Sequence, residues 1–201
     1  MNIFFRVDAS IEIGSGHVMR CLTLADELKS RGEKVIFITR AHKGNMGDAI
    51  KKRGYELCLL PAPADTYQIR KSDVRHAPWL GVSWEQDAKE TSLMIGSSRP
   101  EWLIVDHYGI DSRWHKDLRN KGGRIMAIDD LADRKLDCDL ILDQTYGRKV
   151  EEYRPWVSPN CKMMLGSSYA LLRPQFAEFR HKATLKRKKF NGINRILISM
   201  G

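Results

Sequence analysis

The stretch Arg6-Val7-Asp8-Ala9-Ser10-Ile11-Glu12-Ile13-Gly14-Ser15-Gly16-His17-Val18-Met19-Arg20 decides how this chain is read. Residues 3–7 in front of it are an apolar run of strand type. Behind it, residues 17–31 set Val18, Cys21, Leu22, Ala25 and Leu28 on one helical face. Gly32 then stands where a helix C-cap belongs, after Lys29 and Arg31 in the last turn. The stretch is therefore a strand-to-helix turn, the opening of a β-α-β unit. Its two glycines, Gly14 and Gly16, let the backbone turn tightly and come close to a ligand. It is not a dinucleotide fingerprint, because Met19 occupies the third glycine position and the second strand ends in Thr39-Arg40 with no acid for a ribose. Nor is it a P-loop, because no Gly-Lys-Ser/Thr follows.

Working outward, similar apolar, β-branched-rich runs recur at 35–39, 57–60, 102–105, 124–128, 140–142 and 196–199. Several are continuous rather than alternating, as in strands covered on both faces. Ser83-Trp84-Glu85-Gln86 reads as a capping box opening a helix to about residue 95, and 111–120 as a further helix ended by Gly122-Gly123. This rhythm predicts an α/β, Rossmann-like, doubly wound and mostly parallel sheet. A length of 201 residues suits one such domain and little more. There is no internal repeat and no low-complexity tract.

Composition narrows the classes. Apolar residues make up 42%, enough for an ordinary core, yet no run approaches the roughly 18–20 residues of a membrane helix. The first apolar run meets Arg6 and Asp8 too early to be a secretion signal. Cys21, Cys58, Cys138 and Cys161 form no Cys-x-x-Cys pair and read as free thiols of a cytoplasmic protein, without zinc. The net charge is +9, but Lys182, Lys186, Arg187, Lys188, Lys189 and Arg195 supply six of those charges, and no acid lies among them in 181–195. A solvated linker explains that cluster; a nucleic-acid arm is disfavoured, because no aromatics interleave the lysines. An attractor for an anionic substrate is the third reading. The expected organisation is a Rossmann-like domain over 1–180, a basic linker over 181–195, and at 196–201 the first strand of a truncated second domain. A last strand joining the same sheet is the alternative.

Chemistry concentrates where strands end. His17 falls in the first turn of its helix at the carboxyl end of the first strand, the edge at which open α/β sheets bind ligands. A helix N-terminus disfavours imidazolium, and a neutral ring can take a proton from water. The plainer alternative is a histidine satisfied by local hydrogen bonds. Strand 102–105 delivers Asp106-His107-Tyr108-Gly109, strand 124–128 delivers Asp129-Asp130, and strand 140–142 delivers Asp143-Gln144. The carboxylate spacing matches no metal loop; caps and turn bonds are their commoner use.

Arg6-x-Asp8 with Gly14-x-Gly16-His17-x-x-Arg20 resembles the opening of the UDP-2,4-diacetamido-2,4,6-trideoxy-β-L-altropyranose hydrolases of pseudaminic acid synthesis. The resemblance continues through Trp79-Leu80-Gly81-Val82-Ser83-Trp84-Glu85, Val105-Asp106-His107-Tyr108-Gly109, Ile128-Asp129-Asp130-Leu131-Ala132 and Leu165-Gly166-Ser167-Ser168-Tyr169-Ala170-Leu171-Leu172-Arg173-Pro174. These blocks follow in order across nearly the whole chain, although Gln144 stands where the family leads one to expect asparagine.

The resemblance implies the N-terminal half of a two-domain fold like that of the B-type glycosyltransferases. It implies His17 as general base and Tyr108 as a residue lining the active site. Arg6, Asp8, Gly14, Gly16, Arg20, Asp106 and His107 would bind or shape the substrate pocket. Ser199-Met200-Gly201 matches the start of a second Gly-rich loop, with Gly201 at the nucleotide. The C-terminal UDP-binding domain that the family carries is missing from these residues. The implied substrate is a UDP-sugar, attacked at its anomeric carbon by water with inversion and without metal or cofactor. Two competing readings are a glycosyltransferase of the same fold and a non-catalytic binding fragment.

Overall fold

The structure is a computed structural model, and it describes residues 1–63, 67–188, 192–193 and 195–198. Seven parallel strands form one sheet in the order β3-β2-β1-β4-β5-β6-β7. They are β1 (Asn2–Val7), β2 (Lys34–Arg40), β3 (Glu56–Leu60), β4 (Trp102–Asp106), β5 (Arg124–Ile128), β6 (Leu140–Asp143) and β7 (Lys162–Leu165). The helices are α1 (Gly16–Ser30), α2 (Gly47–Lys52), α3 (Trp84–Ile95), α4 (Ser112–Leu118), α5 (Val150–Tyr153) and α6 (Pro174–Lys188). This is the α/β Rossmann-like fold expected from the sequence.

Alternation along the strands builds a core on each side of the sheet. Ile3, Phe5 and Val7 face Val18, Cys21, Leu22 and Ala25 of α1 on one side. Phe4, Leu103 and Val105 face Ala88 and Ile95 of α3 and Trp114 and Leu118 of α4 on the other. Both faces are covered, which is why the central strands read as continuous apolar runs. The chain leaves β1 toward β2 on one side and returns to pair β4 on the other, in register Phe5↔Ile104. The crevice beyond the carboxyl ends of β1 and β4 is thus the switch point of the sheet, the usual ligand position in such folds.

The Ser83 hydroxyl accepts from the Gln86 N–H at 3.2 Å, so the cap of α3 forms. The reciprocal half does not, because the Gln86 amide turns to Glu90 at 2.9 Å. Helix α6 runs through residue 180, where the sequence reading placed a domain boundary, and none of its residues is buried. Ile196, Leu197 and Ile198 lie in no strand and are exposed; a strand needs a neighbouring ladder for its backbone groups, and none pairs with them among the described residues. Gly201, the expected nucleotide contact, lies with Ser199 and Met200 outside the described residues. Among the described residues, no helix is long and apolar enough to cross a membrane.

Candidate active site

The turn after β1 is tied by Ser10, whose hydroxyl accepts from the N–H groups of Glu12 at 3.1 Å and Ile13 at 2.9 Å. Gly14 closes it with φ +77°, a conformation that a side chain rarely adopts. At both Gly14 and Gly16 an added Cβ would meet nothing within 4 Å, so this turn borders open space. Ser15 makes no side-chain cap, which leaves the first N–H groups of α1 without a side-chain acceptor.

His17 sits in the first turn of α1, as the sequence predicts. Its side chain keeps 9% of its surface exposed, and its Nδ1 lies 2.6 Å from Asp106 Oδ1. The carboxylate only accepts and, at 2.6 Å, lies nearer to Nδ1 than the Arg20 Nη2 donor at 3.2 Å, so in the neutral form of the ring Nδ1 carries the proton and Nε2 the lone pair. Among the described residues Nε2 has no hydrogen-bond partner, and it is not among the atoms sealed from solvent. Burial alone would push the Asp106 carboxyl up, but the hydrogen bonds of Arg20 and the proximity of His17 bring it down to about 2. Arg20 donates from Nε to Asp106 Oδ2 at 2.6 Å and from Nη2 to Oδ1 at 2.7 Å. Its Nη1 reaches Asp130 Oδ2 at 3.1 Å.

Aromatic rings wall this dyad. The Tyr108 ring meets that of His17 edge-on with centroids 4.6 Å apart, and Trp79 stacks on Tyr108 at 5.7 Å. His76 packs against Trp79 at 4.8 Å. The Tyr108 hydroxyl donates to Asp130. Burial and then Asp130 raise that hydroxyl's pKa well above its ordinary value, so it stays protonated at neutral pH and serves as a donor.

Four of the residues expected to bind or shape the substrate pocket are buried. Arg6, Asp8 and Asp106 have no exposed surface and His107 has 3%, so none of them reaches a bound sugar as the structure stands. Arg6 forks onto Asp8 at 2.6 and 2.8 Å and onto Asp87 of α3 at 3.1 and 2.6 Å. Arg40 reaches Asp87 from the other side at 2.7 Å, and the Trp114 indole N–H donates to it at 2.9 Å. Asp8 also accepts from the Thr39 hydroxyl and the Arg40 N–H. These groups form a buried network behind His17, and Asp106 hydrogen-bonds the His17 ring at Nδ1. Arg20 remains partly exposed at the edge. Of the other strand-end acids, Asp129 accepts from the N–H groups of Leu131 and Ala132, and Asp143 from that of Thr145, the turn role expected of them. Asp130 joins the His17 site through Arg20 and Tyr108. No group of three or more His, Cys, Asp or Glu residues suited to a metal ion occurs among the described residues.

Sequence reasoning missed the inward side of α3 and the cleft beside the dyad. Asp87, Ala88, Thr91 and Ile95 are the buried stripe of α3, and that periodicity was the available signal for Asp87. A cleft of about 440 Å³ is lined by Ser10, Glu12, His42, Lys43, Trp79 and Gly81 among others. Trp79 belongs to both places, its ring 6.3 Å from that of His17. Nothing in the local pattern around His42 marked it.

No family model matches this chain. It is 28% identical over 177 residues to the UDP-2,4-diacetamido-2,4,6-trideoxy-β-L-altropyranose hydrolase of Campylobacter jejuni, covering 88% of this chain and 53% of that protein. It is 25% identical to the uncharacterized protein MJ1062 of Methanocaldococcus jannaschii, over 100% of this chain and 37% of that one. Among solved structures it is similar to Arabidopsis thaliana UGT89C1 complexed with UDP, with TM-score 0.55 and 10% identity, covering 85% of this chain and 49% of that one. That last likeness is one of fold alone. The chain spans about half the length, or less, of the curated relatives it matches.

Proposed function

We propose that this chain is the catalytic half of a cytoplasmic enzyme that hydrolyses a UDP-activated 2,4-diacetamido-2,4,6-trideoxyhexose at its anomeric carbon. The products are UDP and the free sugar with that centre inverted, and the pathway served is pseudaminic acid synthesis. The observation that carries the reading is the His17–Asp106 pair at the switch point, with its free nitrogen at the open edge. Water gives a proton to His17 Nε2 as its oxygen bonds to the anomeric carbon. The bond from that carbon to the UDP oxygen breaks, and UDP leaves with the electron pair. Asp106 holds the ring by Nδ1 and offsets the charge that develops on it, while Arg20 keeps Asp106 in place. General-base help of this kind contributes about 10²–10⁴-fold.

The UDP moiety, in this reading, is held by a second half of the protein. The length of the hydrolase relative supports this, as do the exposed apolar side chains Phe176, Phe179 and Leu185 along α6. A second reading, a sugar transferase using the same base on an acceptor hydroxyl, would draw on the same His17–Asp106 geometry. Release of UDP in water without acceptor separates the two. In the full-length protein, His17→Phe is expected to lower UDP release from the diacetamido sugar nucleotide by about 10²-fold or more with the fold intact. Near-normal turnover in that variant overturns the assignment of His17, and binding without turnover in the wild type points to a non-catalytic module.

A further inference from the structure

We propose that the cleft beside His17 is a pocket for an N-acetyl substituent of the sugar, with His42 as the residue that reads it; this deepens the hydrolase reading and rests on it. The cleft lies between the turn that carries α1 and the segment leaving β2. Its volume of about 440 Å³ falls within the roughly 300–1,000 Å³ of small-molecule sites.

His42 is built into this place from behind. Its side chain is only 9% exposed, and its Nε2 stands 3.6 Å from Asp8 Oδ2 with no hydrogen-bond partner of its own. Asp8 is held by Arg6, Thr39 and the Arg40 backbone. The fixed negative charge facing Nε2, although too distant for a hydrogen bond, favours the tautomer that carries its proton on that nitrogen. Nδ1 is left with a lone pair, makes no hydrogen bond among the described residues and is not among the atoms sealed from solvent. Gly81 makes room for the ring. A Cβ there would come to 3.2 Å from His42 Cε1 and to 2.5 Å from Pro63, and the backbone has φ +70°.

A lone pair at the wall of a cleft selects a donor. The remaining walls say which one. Trp79, Pro63, Pro78 and Ile11 are apolar and suit a methyl group, while the Lys43 ammonium suits a carbonyl oxygen. An acetamido group has all three parts: its N–H for His42 Nδ1, its oxygen for Lys43, and its methyl against Trp79 and the prolines. A hydroxyl in the same position would satisfy His42 but leave the apolar wall uncovered. The position suits the reaction, because Trp79 links this pocket to the His17 ring.

The test is ligand-observed NMR on the chain with 2-acetamido-2-deoxyglucose against glucose. The wild type is expected to bind the acetamido sugar at least about tenfold more tightly, with the acetyl methyl receiving the strongest saturation from the protein. His42→Ala should erase about tenfold of that affinity. His42→Asn, whose amide oxygen falls close to the place of Nδ1, should restore most of it, while circular dichroism confirms that both variants fold. Equal binding of the two sugars by the wild type, unchanged binding in His42→Ala, or no recovery in His42→Asn overturns the proposal. The outcomes are separable from the hydrolase reading. Selective binding with no UDP release from the full-length protein removes the catalytic assignment and leaves this pocket, whereas normal release with no acetamido selectivity does the reverse.

Discussion

At the carboxyl ends of the strands Arg6 bonds Asp8 and Asp87, and none of the three side chains has exposed surface. At the amino ends Lys34 faces Glu56 at 3.2 Å with 61% and 56% of their side chains in water. Both are ion pairs that involve residues at the ends of strands, yet they differ in environment. Exposed pairs contribute about 0–1 kcal/mol, whereas each buried charge carries a desolvation cost of several kcal/mol that its partners only offset. Charges buried only for stability could be replaced by apolar groups at no loss. Here they stand behind two histidines at the carboxyl edge: Asp8 behind His42, and Asp106 behind His17. The end of the sheet where the proposed site lies is the end that carries the desolvated charge.

The sharpest way to break this contrast is Asp87→Ala. Asp87 takes two bonds from Arg6, one from Arg40 and one from the Trp114 indole. Removing it leaves two buried guanidinium groups short of a partner, and breaking a buried pair in this way costs about 3–5 kcal/mol. Urea denaturation of the variant reads that cost. A loss under about 1 kcal/mol would show that the buried network tolerates vacancies as a surface pair does, and the contrast would fall.

Asp106→Asn sharpens it within the site. The asparagine keeps the shape of the side chain but puts no charge behind His17, so UDP release by the full-length protein should fall by about 10²-fold or more while substrate affinity changes little. The carboxyl also has a stability signature. Its pKa is lowered from 3.8 to about 2 in the fold. A carboxylate with a depressed pKa stabilises the native state above its unfolded value and loses that contribution as pH falls through the folded one. The share is about 2 kcal/mol, present above pH 3.8 and lost toward pH 2. Denaturant midpoints measured across that window should slope less in Asp106→Asn than in the wild type. Parallel slopes would remove the linkage.

What could be read in the sequence follows the same division. The runs at 3–7, 35–39 and 102–105 were legible because strands covered on both faces leave no polar alternation. Strand β7 was not, because Lys162-Met163-Met164-Leu165 is short and only partly buried at the sheet edge, too little for a pattern. Helix α6 was read in part as a linker, since it buries nothing and so has no stripe to detect. His17 stood out because glycines and a strand-to-helix turn surround it. Arg6 and Asp8 are equally visible, but Asp87, the second partner of Arg6, lies 81 positions away and only the folded chain brings it there. His42 lies in a loop, and its meaning depends wholly on Asp8 and Trp79, which come from other elements.

The smallest effect closes the comparison from the other side. Glu56 is the first residue of β3, an edge strand, and its carboxylate meets only the Lys34 ammonium, with both side chains more than half in solvent. Water already solvates each charge, holding two long side chains together costs rotamer freedom, and dissolved ions screen what attraction is left. Glu56→Gln keeps the side chain's length and its place in the strand and removes only the charge. The expected loss is under about 0.5 kcal/mol in low salt and nearly vanishes by about 1 M salt, where the Debye length of roughly 3 Å falls to the 3.2 Å separation of the pair. Urea midpoints at the two salt concentrations make the measurement. A loss above about 1 kcal/mol that persists in salt would mean that burial does not divide the two ends, and that charge at the amino edge is also held in place by the fold.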